Sequence, residues 1–406
     1  MAFTGATSGL AAGAQTNDTR MDFALETLYA TPPTGNYQAL RITGETFKRA
    51  DSTSRPQEIN DLKQVSQSVV TQVQASGTVS GALSSGTFDD LIAGVMGADW
   101  AGAFVFNATN VSTVRPNNNL LLFPADNTGF VSKLPDFGTF RIVSPSKGWD
   151  FIGYYARRSD NAAMIIGPEF FTKYNWGDGL VDDAVVTVNG IANSNIDKTF
   201  TIRKKLLGKF LHYPGSLITQ VQIQLQQGQF GTISIDAICA DEVKSDTDIA
   251  SSVLAAPGGK VHNTVNNFLG ATINGQAPAG CVTQFTCALA RDGNGNDYGN
   301  GHTSACGVRT GQFTASGSIE FYFRTWDEYD AALAGTQGPI IVKSVDDSGN
   351  GYAFVFTNAA LRNASVNTSE TNQTVKASFD IEGNPTEDGG PTFAIFRLTG
   401  VAATGS

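Results

Sequence analysis

The sequence predicts a mainly β protein: two β units in tandem, each with a short α-helix, with a further β module inserted into the first. Composition is the first ground. Among 406 residues there are 44 glycines and 26 phenylalanines against 16% charged residues, the make-up of short strands joined by turns. The second is a strand leading into a capped helix, which occurs twice about 240 residues apart. The third is a difference in spacing between the two copies, which locates the insertion.

The chain opens M-A-F-T-G-A-T-S-G-L-A-A-G-A-Q, without the basic n-region and continuous apolar core of a secretory signal, so export by that route is not expected. Leu40 to Gln64 begins as a strand and continues as a polar, charge-mixed arm with few apolar anchors. Such an arm gains little by packing on its own unit. It reads either as a mobile loop or as an arm ordered by a neighbouring subunit, with Arg49, Arg55, Glu58 and Asp61 as candidate ion-pair partners.

The strand V-V-T-Q-V-Q-A-S and the segment A-S-G-T-V (Ala75 to Val79) precede S-G-T-F-D-D-L-I-A-G-V-M-G, Ser85 to Gly97. Here Thr87 is a candidate N-cap, Asp89 and Asp90 load the first turn against the helix dipole, and Gly94 and Gly97 weaken or close the far end. Phe88, Leu91, Ile92 and Val95 form one apolar stripe. The same device returns as A-S-G-S-I (Ala315 to Ile319) followed by R-T-W-D-E-Y-D-A-A-L-A-G-T, with Thr325 as the N-cap candidate, Asp327 and Glu328 in the first turn, and Gly335 at the close.

A second repeat lays Leu217 to Cys239 on Leu361 to Gly383 without a gap, as strand, turn, strand; Leu217/Leu361, Ser234/Ser378 and Asp236/Asp380 coincide. Helix and hairpin are much farther apart in the first copy, by about 94 residues. The excess falls in a stretch with its own strand-like runs, L-L-L-F, F-R-I-V, F-I-G-Y-Y and A-V-V-T-V. The expected division is 1–100 with 201–250 as a discontinuous first unit, 101–200 as an inserted surface module, and 251–406 as the second unit. A-A-P-G-G-K, 255 to 260, is the joint.

The chemistry-bearing residues are sparse. A net charge of −10 without a dense basic stripe speaks against tight nucleic-acid binding. The largest basic cluster, Arg203, Lys204, Lys205 and Lys209, reads as a solvated strand end, an intersubunit salt-bridge donor or a contact for an anionic partner. Cys281, Cys287, His302 and Cys306 lack the tight knuckle spacing of zinc sites, and Cys281 and Cys287 are expected on one face of a strand; the three cysteines and Cys239 read as buried or semi-buried free thiols. Asp292, Asn294 and Asn296 start a calcium-loop pattern that Asp297 and Thr303 break, so a turn is expected. V-D-D-S-G-N-G-Y near Asp346 reads as a hairpin connection. Three histidines, and no nucleophile elbow, phosphate loop or metalloprotease pair, give no catalytic, cofactor-binding or metal residues to assign. No window approaches 18 apolar residues.

Taken together, the G-E-x-F arm with S-R-P-Q-E-I-N, the S-G-x-[VI] strand before T-[FW]-D-[DE], the T-F-T-I-R-K-K run and the hairpin G-T-I-S-I-D-A-I resemble tail tube proteins of long-tailed bacteriophages, over most of the chain outside about 101 to 195. The resemblance implies two tandem tail-tube domains, each a β-sandwich or barrel flanked by a short α-helix, and a structural virion protein without enzymatic activity, made in the host cytoplasm. It implies stacked rings around a conduit for DNA ejection, the DNA passing without specific binding. A duplicated unit implies homotrimeric, pseudo-hexameric rings. The polar arm would bridge to the adjacent ring, and the further partners would be a tape measure, a tail terminator, and a baseplate or distal tail protein. The alternative is a carbohydrate-binding β module on a virion or cell surface, with Trp149, Tyr174 and Trp176 as sugar platforms.

Overall fold

The computed structural model describes residues 13–111, 113–123, 131–158, 163–167, 169–174, 180–369, 371–386 and 389–401. The chain begins with β1 (Arg20–Leu25), β2 (Asn36–Ala39), β3 (Gly44–Glu45), β4 (Lys48–Ser54), β5 (Val69–Ala82) and α1 (Asp89–Met96). A separate sheet follows, formed by β6 (Phe104–Asn107), β7 (Thr113–Arg115), β8 (Leu120–Leu122), β9 (Phe137–Ser144), β10 (Trp149–Arg157), β11 (Ala163–Ile166) and β12 (Val185–Val188), with α2 (Glu169–Lys173) against it. The chain then returns through β13 (Gly190–Ala192), β14 (Phe200–Leu206), β15 (Lys209–Gln226), β16 (Thr232–Cys239) and β17 (Val243–Ser245).

After β18 (Ser252–Leu254) the second copy runs through β19 (Phe268–Ile273), β20 (Val282–Asp292), the small hairpin of β21 (Gly295–Asp297) and β22 (Gly307–Arg309), and β23 (Gln312–Tyr322). It ends with α3 (Asp327–Ala334), β24 (Gln337–Val345), β25 (Gly351–Asn367), β26 (Lys376–Asn384) and β27 (Phe393–Leu398).

Strands β1, β4, β5, β14, β15 and β16 have counterparts in β19, β20, β23, β24, β25 and β26, and the registers identify the partners. Ile202 of β14 lies between Phe23 of β1 and Tyr213 of β15, as Ile340 of β24 lies between Ile273 of β19 and Phe356 of β25. Val79 of β5 faces Ile235 of β16 as Ile319 of β23 faces Phe379 of β26. Arg49 of β4 faces Ala75 as Leu289 of β20 faces Ala315, so the polar arm strand is the counterpart of β20. The hairpin repeat needs one correction. With Asp236 and Asp380 held equivalent, Leu217 pairs one residue out from Leu361, because the second turn carries one more residue than the ungapped alignment allows.

β15 and β25 are the organising strands. Each is long, and each breaks register partway, between Ile218 and Gln220 and between Arg362 and Ser365. Their first halves run in an outer layer, β15 beside β14 and β17, β25 beside β24 and β27; their second halves cross into an inner layer. Strands that change sheets at a bulge make the corners of a sandwich. The core between the layers holds Val79, Val221, Ile235, Phe285, Ile319 and Phe379, all nearly fully buried.

The separate sheet encloses its own core, including Phe106, Phe140, Trp149, Phe151 and Phe170. It docks through Ile152 on the outward faces of β24, β25 and β27, at Ile341, Val355 and Phe396. It therefore sits on the outer layer.

Candidate assembly surface

The inner layer is one continuous sheet that runs through both copies. Its order is β4, β5, β16, β15, β20, β23, β26 and the second half of β25, every pairing antiparallel. The central joint is β15 against β20, with Val221 opposite Leu289 and Ile223 opposite Cys287. Period-two alternation sends one set of side chains into the core and the other outward.

The outward set is almost uniformly polar: Gln74, Ser76, Thr78 and Ser80 on β5; Ser234 and Asp236 on β16; Gln220, Gln222, Gln224 and Gln226 on β15. It continues with Gln284 and Thr286 on β20, Ser316, Ser318 and Glu320 on β23, and Ser378, Asp380 and Glu382 on β26. Its charges are largely tied down. Thr78 donates to Asp236 at 2.5 Å, Lys376 pairs with Glu320 at 2.8 Å, and Arg362 with Glu382 at 2.8 Å. Partial burial alone would raise the Glu320 carboxyl, but the hydrogen bonds from Lys376 and Thr283 outweigh it and hold the group below its ordinary range.

Among the described residues both ends of this sheet are open. β4 pairs there only with β5 and is exposed along its whole length. The second half of β25 pairs with β26 on one side, and on the other β24 stops at the pair Gln337 and Ala360. Unpaired edges of this length template pairing with another chain.

The two helices lie at equivalent positions, and each closes on a left-handed glycine, Gly97 at φ 58° and Gly335 at φ 67°. Their N-caps fall on Phe88 and Trp326, not on Thr87 and Thr325, and neither has a side-chain cap. The turn ahead of α1 already coils the chain, so Thr87 lies one residue outside the helix and its hydroxyl meets Ser84 at 2.7 Å. Thr325 reaches only the Glu328 carboxylate, at 3.4 Å.

α1 is sealed into the junction between the copies. Asp89 accepts hydrogen bonds from Arg397 (Nε, 2.8 Å) and from the Tyr352 hydroxyl, its carbonyl accepts from Trp100 Nε1 at 2.9 Å, and the Arg397 guanidinium lies 3.9 Å from the Trp100 ring centre. Burial, reinforced by Asp89, holds the Tyr352 hydroxyl well above its ordinary pKa. At the other end Arg291 Nε donates to the Val95 carbonyl at 2.7 Å. His262, in the connection between the copies, bridges Ser344 (3.1 Å) and Ser85 (3.4 Å), and burial lowers its pKa to about 4.

Several sequence readings change. The basic cluster is spent within the chain: Arg203 is buried, holds Asp22 at 2.6 and 2.9 Å and Asp248 as well, and stacks between Tyr37 and Phe210. Lys204 pairs with Glu45 at 3.1 Å and Lys209 with Asp246 at 2.9 Å. Arg49 pairs with Asp51 at 2.7 Å, while Arg55, Glu58 and Asp61 lie exposed between β4 and β5. A register break after Val282 separates Cys281, which is exposed, from Cys287, which is buried. Among the described residues no cluster of His, Cys, Asp or Glu could hold a metal ion.

Of the proposed sugar platforms, Trp149 is buried against Phe170 (5.9 Å) and Tyr174 (5.5 Å), so its ring is spent on the module core; Trp176 lies outside the described residues. No helix among the described residues is long and apolar enough to cross a membrane.

What the geometry offers is a polar sheet face between two edges that are free among the described residues. A family model described as phage tail tube protein matches residues 16–383. No curated protein matches the chain.

Proposed function

The chain belongs to the phage tail tube protein family, and on that premise we propose that three copies join head to tail into a ring whose polar sheet face lines the bore. The observation that carries this reading is the eight-stranded inner sheet, polar on one face and open at both edges. Three such sheets make a barrel of 24 strands, which at ~4.8 Å between strands and a tilt of ~40° measures roughly 45–50 Å between opposite backbones. That bore admits a DNA duplex.

The lining suits passage without capture. Glutamine, serine and threonine dominate it, and the carboxylates Asp236, Asp292, Glu320, Asp380 and Glu382 outnumber the cations Lys48, Arg362 and Lys376. Phosphates find no cationic track on which counterion release would hold them. The function is therefore steric and electrostatic, and no step of it is catalytic.

In this reading the exposed connection between β4 and β5, with Arg55, Glu58 and Asp61, reaches the adjacent ring. The separate sheet, being docked on the outer layer, projects from the outside of the tube, and the two tail-tube domains take the limits 1–100 with 201–250 and 251–406. Head-to-tail stacking of identical rings is heterologous and grows a filament, which other tail proteins must start and stop. Synthesis falls in the host cytoplasm, and the finished protein resides in the virion.

Negative-stain electron microscopy of the purified protein tests the proposal. Stacked rings with three-fold symmetry and a central channel are expected; a protein that stays monomeric at high concentration would overturn it.

A further inference from the structure

The joint inside the chain is a template for the joint between chains. β15 and β25 are counterparts, and so are β4 and β20. Within the chain the second half of β15 is paired on its free side by β20. Among the described residues the equivalent side of β25 has no partner strand, and neither has the outer edge of β4. We infer that in the ring, β25 of one copy pairs antiparallel with β4 of the next in the register of the internal joint, with Ser365 opposite Lys48 and Ala364 opposite Arg49.

The register follows from the correspondences already established. Gln222 faces Ala288 in the internal joint. Gln222 stands opposite Ser234 as Ser365 stands opposite Ser378, and Ala288 stands opposite Ser316 as Lys48 stands opposite Ser76. Substituting counterpart for counterpart puts Ser365 against Lys48, and antiparallel order places Ala364 against Arg49 and Val366 against Phe47. The alternation agrees. Phe47 is already turned into the core, as is Cys287, its counterpart, whereas Lys48 and Ser365 lie on the polar face. A slip of one residue would place Phe47 opposite a polar-face position, exchanging core and bore side chains.

A second feature lies at the same joint. α1, beside the filled joint, is buried, with Val95 fully covered; α3, beside the empty one, leaves Leu333 71% and Trp326 56% exposed. Surface that the internal joint covers on one helix is left waiting on the other, and the adjoining copy is the occupant that completes both the sheet and the helix cover.

This inference rests on the ring reading, and the test separates the two. In a background with the exposed Cys281 and Cys306 replaced by serine, the pair Lys48→Cys and Ser365→Cys is oxidised after assembly. Directly opposed residues of an antiparallel pair come within disulfide reach, while those offset by two lie farther apart, about 7–8 Å. Covalent dimers and closed trimers on a non-reducing gel are expected, at least tenfold above the offset pair Lys48→Cys with Asn367→Cys. Tubes that form with cross-links only in the offset pair, or in neither, overturn the register and leave the ring standing; the absence of tubes from the unmodified protein overturns the ring itself. Should the cysteine variants fail to assemble, hydrogen exchange on unmodified tubes decides: slow exchange is expected in both 44–50 and 363–369, and fast exchange in either segment overturns the pairing.

Discussion

The helices α1 and α3 share length, first-turn acids and a left-handed glycine stop, yet their surroundings are opposite. α1 buries Leu91, Ile92 and Val95 and anchors Asp89 to Tyr352 and Arg397; α3 has no fully buried residue and contacts mainly β25. The same local sequence device is thus a core element in one place and a surface element in the other. What differs is whether the next β unit is present in the chain. A capped helix stripe is a promise of burial, and tertiary neighbours decide whether it is kept within one polypeptide.

The sharpest break of this comparison is at the paired first-turn acids. Asp89→Ala takes away the acceptor of the buried Tyr352 O–H, whose oxygen keeps the Gly86 N–H, and leaves Arg397 without its carboxylate, which costs about 3–5 kcal/mol. Asp327→Ala removes only a favourable charge at an exposed helix start, about 0.3–1 kcal/mol. Urea unfolding of the unassembled chain checks both, and equal losses would mean that the junction does not depend on Asp89.

The apolar stripe gives the next contrast. Leu91→Ala empties a fully buried site and should cost about 2–5 kcal/mol. Leu333→Ala should stay within about 0.5 kcal/mol in the unassembled chain, while raising the protein concentration needed for tubes by light scattering. An unchanged threshold would leave the exposure of α3 without a role in assembly.

How much of this was legible in the sequence depends on burial. The strand and helix repeat could be read because Val79 and Ile319 fill the same core site, and because Asp and Gly at helix ends serve local physics that neighbours do not alter. The equivalence of β4 and β20 was not legible. β20 is paired on both sides and alternates plainly, with Phe285, Cys287 and Leu289 inward, whereas the equivalent positions, Glu45 at the end of β3, Phe47 just ahead of β4 and Arg49 within it, read as a polar arm. The one-residue shift in the hairpin repeat was hidden in the same way: alternation constrains each strand but not the length of the turn between them. The polar lining carried no motif at all, since glutamines and serines at period two look like any solvated strand face until the register brings eight strands side by side.

His262 sharpens the contrast at the filled joint through pH. Its pKa falls from an ordinary 6.5 to about 4 on folding, so the folded chain refuses a proton that the unfolded chain accepts. Stability is full above pH ~6.5, declines as the pH drops, and the loss levels off near the folded value at roughly 3 kcal/mol. Burial lowers His212 as well and adds loss on the same side, so the diagnostic quantity is the difference between the unmodified chain and His262→Gln. Denaturant midpoints from pH 7.5 to 4.5 should fall less steeply in the variant. Parallel curves would mean that His262 is not held neutral.

The smallest effect on folding belongs to the polar face, and it sharpens the comparison from the other side, because Ser234 and Ser378 are counterparts that both face outward from the inner sheet. Lysine at these two positions meets solvent and should change stability by no more than about 0.5 kcal/mol, with tube length unaltered in micrographs. In a ring of three copies, however, it adds six cations to every layer of the bore. Each phosphate contact releases counterions and strengthens binding cumulatively, so a duplex moving along stacked rings meets a continuous cationic track in place of amides, hydroxyls and paired acids. DNA ejection from particles carrying the double variant should slow several-fold at low salt and recover as salt screens the contacts. Ejection at the unmodified rate through tubes of normal length would remove electrostatics from the mechanism and leave the width of the bore to account for free passage.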